Sequence, residues 1–170
     1  ISLRHRSMIF IYRPETNEII HIIQGPFYNQ HDVDILNDST ISLFNNNISS
    51  LAKFKSNTFK SKSKGYKISQ NESLNQHSEV LKYNFSDSSF TSIFPQKFKN
   101  NKIIAQSHGW HHIMENCDLF VESWSEGKLY IFNEEKLIYR QYSNEMENDL
   151  VERPHWMRIY ENLDFLNKEL

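Results

Sequence analysis

The stretch QHDVDIL, residues 30–36, places one histidine and two aspartates inside an otherwise apolar run. Polar groups on a buried strand are costly unless paired, so His31, Asp32 and Asp34 must meet either protein partners or a ligand. A second cluster, SHGWHHIM, concentrates His108, His111 and His112. On a helix, histidines three and four apart share a face and would read as a metal site. On a strand, His111 and His112 point to opposite sides, so one ion cannot easily take both. Metal binding by His31, Asp32 and the later histidines stays open as one alternative. Arg6, in RHRSM, precedes a strand and offers a planar fork to an anionic ligand, with His5 beside it. Each residue also has a plainer reading. The histidines and aspartates would be hydrogen-bonded ties between neighbouring sheets, and Arg6 an exposed surface arginine. Strand alternation puts His31, Val33 and Ile35 on one side and Asp32, Asp34 and Leu36 on the other. An aspartate adjacent in sequence is therefore not expected to orient His31, and the two aspartates are read as structural.

The elements that must position these residues are strands. SMIFIY (7–12) and EIIHII (18–23) flank RPETN, while HDVDIL (31–36) and TISLF (40–44) flank NDS. EVLKYNF (79–85) and FTSIF (90–94) flank SDSS. GWHHIM, DLFVES, KLYIFN and KLIYRQY follow, with turns at ENC, WSEG and EE. HWMRIY (155–160) reads as one more strand and ENLDFLNKEL as a short closing helix. Only four glycines stand against eighteen asparagines, so Asn is expected at many positive-φ turn positions.

A repeat runs through this order. An apolar and aromatic strand, a turn and a second apolar strand recur at 8–22, 80–94 and 129–142, and a similarly punctuated hairpin precedes the last two copies. Four strands per repeated unit predicts an all-β chain of four-stranded antiparallel β-propeller blades; a β-sandwich is the competing fold. The blades are a half blade at 7–23, a blade at 31–94, a blade at 109–142 and a trailing strand at 155–160. The Ser/Lys/Asn-rich stretch 48–78 interrupts the second unit as an insert, its lysines a solvated face. About three blades do not close a ring, so the chain is expected to be the C-terminal portion of a larger propeller, completed by N-terminal blades of the same protein. As the first strand of a blade is its innermost, His31 and His111 are expected to open onto one axial cavity.

The bulk properties narrow the partners. One domain, or part of one, suits 170 residues. A net charge of −2 gives no support for a nucleic-acid or membrane-surface role. No apolar run is long enough to span a bilayer, and no signal peptide is visible. The single cysteine, Cys117, excludes an internal disulfide, lies in a turn and lacks an adjacent base, so no catalytic role is assigned to it.

HRSMIFIY, GPFYNQHDVDIL with ISLFNNN, GWHHIMENCDLFVESWSEGKLYIFN with YRQYSN, and RPHWMRIY together resemble the arylsulfotransferase family of β-propeller proteins. The resemblance spans most of the chain outside 48–78. It implies transfer of a sulfuryl group from an aryl sulfate ester to a phenol through a sulfated histidine, without cofactor or metal, and an exported or periplasmic protein. On that reading His31 is the nucleophile, and His111 is the sulfate contact or acid. Arg6, His5, His112 and Trp110 bind substrate. Two departures stand out. Trp110 replaces an arginine that follows the glycine in relatives, and Cys117 replaces a turn glycine. The other readings are a non-catalytic propeller that binds a ligand or protein, and a metal-dependent hydrolase or lyase on the same scaffold.

Overall fold

The computed structural model describes residues 1–47, 77–142, 146–147 and 150–151. Most of the 48–78 insert, the 155–160 strand and the closing helix lie outside them.

The described chain is all-β with antiparallel pairing. Sheet 1 is β1 (Ser2–Leu3), β2 (Met8–Arg13) and β3 (Glu18–Gln24), in chain order. Sheet 2 is β4 (His31–Asn37), β5 (Thr40–Asn45), β6 (Glu79–Asn84) and β7 (Ser89–Ile93). Sheet 3 is β8 (Gly109–Ile113), β9 (Leu119–Ser123), β10 (Lys128–Phe132) and β11 (Leu137–Tyr142). A two-stranded ribbon, β12 (Met146–Glu147) with β13 (Leu150–Val151), follows. Among the described residues no helix is long and apolar enough to cross a membrane.

Sheet 2 is packed on both faces, which is why β5 carries almost no exposed residue. Ile41 and Leu43 join Ile9, Ile23, Phe27, Leu81 and Tyr83 in the core between sheets 1 and 2. Phe44 and Val80 join Leu119, Val121, Tyr130 and Phe132 in the core between sheets 2 and 3. Gly109, which opens β8, lies against the Phe44 ring with no space for a Cβ. The one α-helix among the described residues, α1 (Pro95–Asn100), does not show in the strand periodicity. Its Pro at the first turn is the local signal, and it delivers Phe98 to the second core.

Asparagine works in the turns in two ways. Asn17, Asn29 and Asn47 take positive φ as expected, but seven other non-glycine residues do too, Asp32 and His108 among them. More often the Asn side chain closes the turn. Oδ1 of Asn37, Asn84, Asn116 and Asn133 accepts the backbone N–H two residues on, at 2.8–3.1 Å. The run FNNN pegs the end of β5. Asn45 Oδ1 accepts from Tyr28 N at 2.8 Å, and Asn46 Nδ2 donates to the buried Ala105 carbonyl.

Candidate functional site

The site begins with a register slip. His31 pairs with Phe44 but Val33 pairs with Leu43, so Asp32 has no partner on β5 and bulges at φ 49. The bulge overturns the expected alternation. Asp34 now sits opposite Ser42, on the same face as His31, while Val33 turns to the core shared with sheet 1. Asp32 reaches instead to sheet 3.

The sheet-3 partner is His111. Its side chain is 0% exposed, its backbone N–H donates to Asp32 Oδ2 at 2.7 Å, and its Nδ1 lies 2.7 Å from the same oxygen. The latter is a close polar contact rather than an aligned hydrogen bond. On the far side of the ring, Nε2 is 2.8 Å from Ser42 Oγ and 4.0 Å from Asp34 Oδ2. Burial and the neighbouring Asp32 carboxylate raise the pKa of Asp34, and His111 and His112 oppose that rise. Among the described residues Asp32, Asp34 and His111 form the one cluster compact enough for a metal ion. Both imidazole nitrogens already face protein oxygens, however, so the arrangement fits a tie between sheets 2 and 3 better than an open ligand set.

His31 looks elsewhere. A 3-10 turn at Arg4–Arg6 and the left-handed His108 before β8 bring Arg4, His5 and His108 around it. The His31 and His108 rings stack at 6.1 Å with 10° between planes, and Trp124 meets His108 edge-on at 4.9 Å. Burial, then the Arg4 guanidinium, then His108 push the His31 pKa from 6.5 down to about 4, with His5 adding and Asp32 opposing. The ring is therefore neutral at pH 7. Among the described residues, His31 Nε2 and Arg4 Nε are both enclosed and without hydrogen-bond partners, although Arg4 also donates through a terminal nitrogen to the Gln106 carbonyl at 3.4 Å. An enclosed N–H of a fixed cation next to a neutral imidazole can take an anion's oxygen on one side and present a nucleophilic nitrogen on the other.

The geometry thus sorts the expected residues. His31 and His5 belong to one cluster, while His111 is sealed in the seam between sheets 2 and 3. The common cavity expected for His31 and His111 is not what the structure shows. Arg6 is exposed at the end of the 3-10 turn. Trp110 and His112 lie on the face of β8 away from His111, stacked at 6.1 Å and 6°, with Trp110 also against Phe120 at 5.3 Å. Sequence reasoning missed Arg4, and named His108 only among possible metal ligands rather than as a neighbour of His31. RHR offered two arginines, and only the 3-10 turn decides which one faces inward. His108 lies outside the strand period, so only its left-handed φ explains its aim.

Comparison with curated proteins and with solved structures returned no match. The family model described as Arylsulfotransferase (ASST) matches residues 1–145, and on that extent the chain belongs to the arylsulfotransferase family.

Proposed function

We propose that this protein transfers a sulfuryl group from an aryl sulfate to a phenolic acceptor, with His31 as the nucleophile, Arg4 as the cation facing the sulfate and His5 beside it as a further contact. In the first half-reaction an imidazole nitrogen of His31 attacks sulfur. The N–S bond forms, the S–O bond to the aryl group breaks, and the phenolate leaves with the electron pair to take a proton from solvent. In the second, the acceptor phenol gives its proton to solvent, its oxygen attacks sulfur, and the N–S electrons return to the imidazole. A phenol pKa near 10 makes the leaving group fair without a strong acid. The enzyme's contribution is then proximity and charge stabilisation at the three sulfuryl oxygens.

One observation carries this reading: an imidazole held neutral beside an arginine whose Nε has no acceptor among the described residues. In this account His111 supports the site from the seam, Arg6 and His112 are reserve contacts, and Trp110 packs against His112 and Phe120. The three sheets are successive blades of a propeller. The outer face of sheet 1 carries Leu3, Phe10 and Ile22, the last 55% exposed, which suits stacking of a further blade of the same protein.

Incubating the full-length protein with p-nitrophenyl sulfate and phenol tests the reading. Nitrophenolate release that requires His31 and is unaffected by chelator supports it. No release favours a non-catalytic anion-binding propeller built on the same cluster, and release that chelator abolishes favours a metal-dependent hydrolase.

A further inference from the structure

His31 is suspended between two neighbouring sheets by the residues on either side of it. Gln30 is fully buried, and its Nε2 donates to the Met8 carbonyl at 2.9 Å and to Ser2 Oγ at 3.1 Å, both in sheet 1. Ser2 Oγ in turn reaches the Gln30 carbonyl at 3.5 Å. Asp32 is tied the other way, to the backbone and ring of His111 in sheet 3. The tie to sheet 3 costs something, because a left-handed φ is unfavourable for a residue with a Cβ, though less so for Asp than for most. A strand needing only to pair with β5 would not bulge there. The bulge turns Asp32 toward sheet 3, keeps His31 in register with Phe44, and leaves its ring facing Arg4 and His108.

We infer that Gln30 and Asp32 are paired positioning residues that fix the His31 imidazole at the junction of three sheets, Gln30 anchoring it to sheet 1 and Asp32 to sheet 3. The inference rests on His31 being the reacting group, but two of its readouts do not need sulfuryl transfer. The role differs from simple interblade adhesion in one respect. Adhesion would be lost as stability alone, whereas positioning is lost at the His31 ring.

The experiment compares wild type, Asp32→Asn, Asp32→Gly and Gln30→Met in the full-length protein. Asp32→Asn keeps the shape and removes the charge. Asp32→Gly removes the carboxylate while accepting the left-handed φ without strain, so it tests the inference should the first variant fold poorly. Three measurements are made on folded protein: kcat and KM with aryl sulfate, the NMR titration of His31, and its acylation rate by diethyl pyrocarbonate. For each variant kcat is expected to fall ~10²-fold with KM within ~3-fold, the size of effect a reacting group displaced by about 1 Å produces. In the Asp32 variants the His31 titration moves below about 4, because the carboxylate that opposes the drop is gone. The acylation rate changes in parallel in all three. Variants that lose thermal stability but keep kcat, the His31 titration and the acylation rate overturn the inference, as does an upward or unchanged titration in both Asp32 variants. If wild type transfers no sulfuryl group, the proposed activity falls, and the titration and acylation rates alone decide the positioning role.

Discussion

Arg4→Gln probes the charge that sits against His31. The His31 pKa of about 4 against an ordinary 6.5 corresponds to ~3 kcal/mol of preference for the neutral ring, at ~1.4 kcal/mol per unit. The ring is partly open to solvent, so screening reduces what this is worth to ~1–2 kcal/mol. Burial is the largest cause and Arg4 the second. A nearby like charge moves a pKa by ~1–3 units, and partial exposure puts Arg4 at the low end. Arg4→Gln should therefore raise the His31 titration by about one unit, short of 6.5 because burial and His108 remain. The same change removes a donor from the sulfate oxygens, which lowers kcat/KM by ~10²–10³-fold at pH 7. The two effects compound in acid. At pH 5 the variant's ring is partly protonated and the wild-type ring is not, so the ratio of wild-type to variant rates must be larger at pH 5 than at pH 7. NMR titration of the His31 ring and pH–rate profiles measure both. Linkage gives a check on sign. A folded pKa below the unfolded one means the linked stability is fully present above about pH 6.5 and is lost as the pH falls toward 4. Arg4→Gln should shrink that acid loss. A wild-type His31 titrating near 6.5, or a variant titration and rate ratio unchanged from pH 7 to pH 5, would refute the reasoning.

Three further substitutions test the frame around the site. Gly109→Ala drives a methyl group into the Phe44 ring and should cost ~1–3 kcal/mol by urea denaturation, with much of the loss recovered in Gly109→Ala/Phe44→Leu. No recovery would show that the two residues do not meet. Asp34→Asn removes a carboxylate whose pKa burial and Asp32 hold above its ordinary value, and whose side chain is 44% exposed. The stability penalty of the raised pKa is absent below the unfolded value and grows as the pH rises through the folded one. Asp34→Asn should thus stabilise by up to ~1 kcal/mol at pH 7 after screening, and by nothing at pH 3. His111→Ala leaves Asp32 and Asp34, both on β4, side by side at an emptied seam, at a cost of ~2–4 kcal/mol in thermal or urea unfolding. A loss below ~0.5 kcal/mol would mean the ring does not bind sheets 2 and 3 together.

The strands were legible because alternating and doubly apolar runs bounded by Asn, Asp and Ser have few other solutions. All ten strands read at 7–142 appear within two residues of their expected ends, and β4 and β8 meet as first strands of neighbouring sheets. What sequence could not carry was the phase inside β4. Strict alternation treats HDVDIL as one uninterrupted period, and a bulge at Asp32 inverts the facing of Val33, Asp34 and Ile35 until a second register shift before Asn37. From that single residue follow the contact of Asp32 with the buried His111 and the pairing of Asp34 with Ser42. α1 was hidden for a similar reason. Six residues hold too few turns for a helical period to show, and Pro95 alone marked its start.

The central claim is that His31 carries the sulfuryl group, and trapping that group tests it directly. Full-length protein is mixed with p-nitrophenyl sulfate without acceptor, quenched in base to preserve the N–S bond, digested and mapped by mass spectrometry. The account predicts one added SO₃ on the peptide containing His31, discharged by phenol and absent in His31→Ala. An SO₃ on His5, His108 or any other residue, retained in His31→Ala, would contradict it.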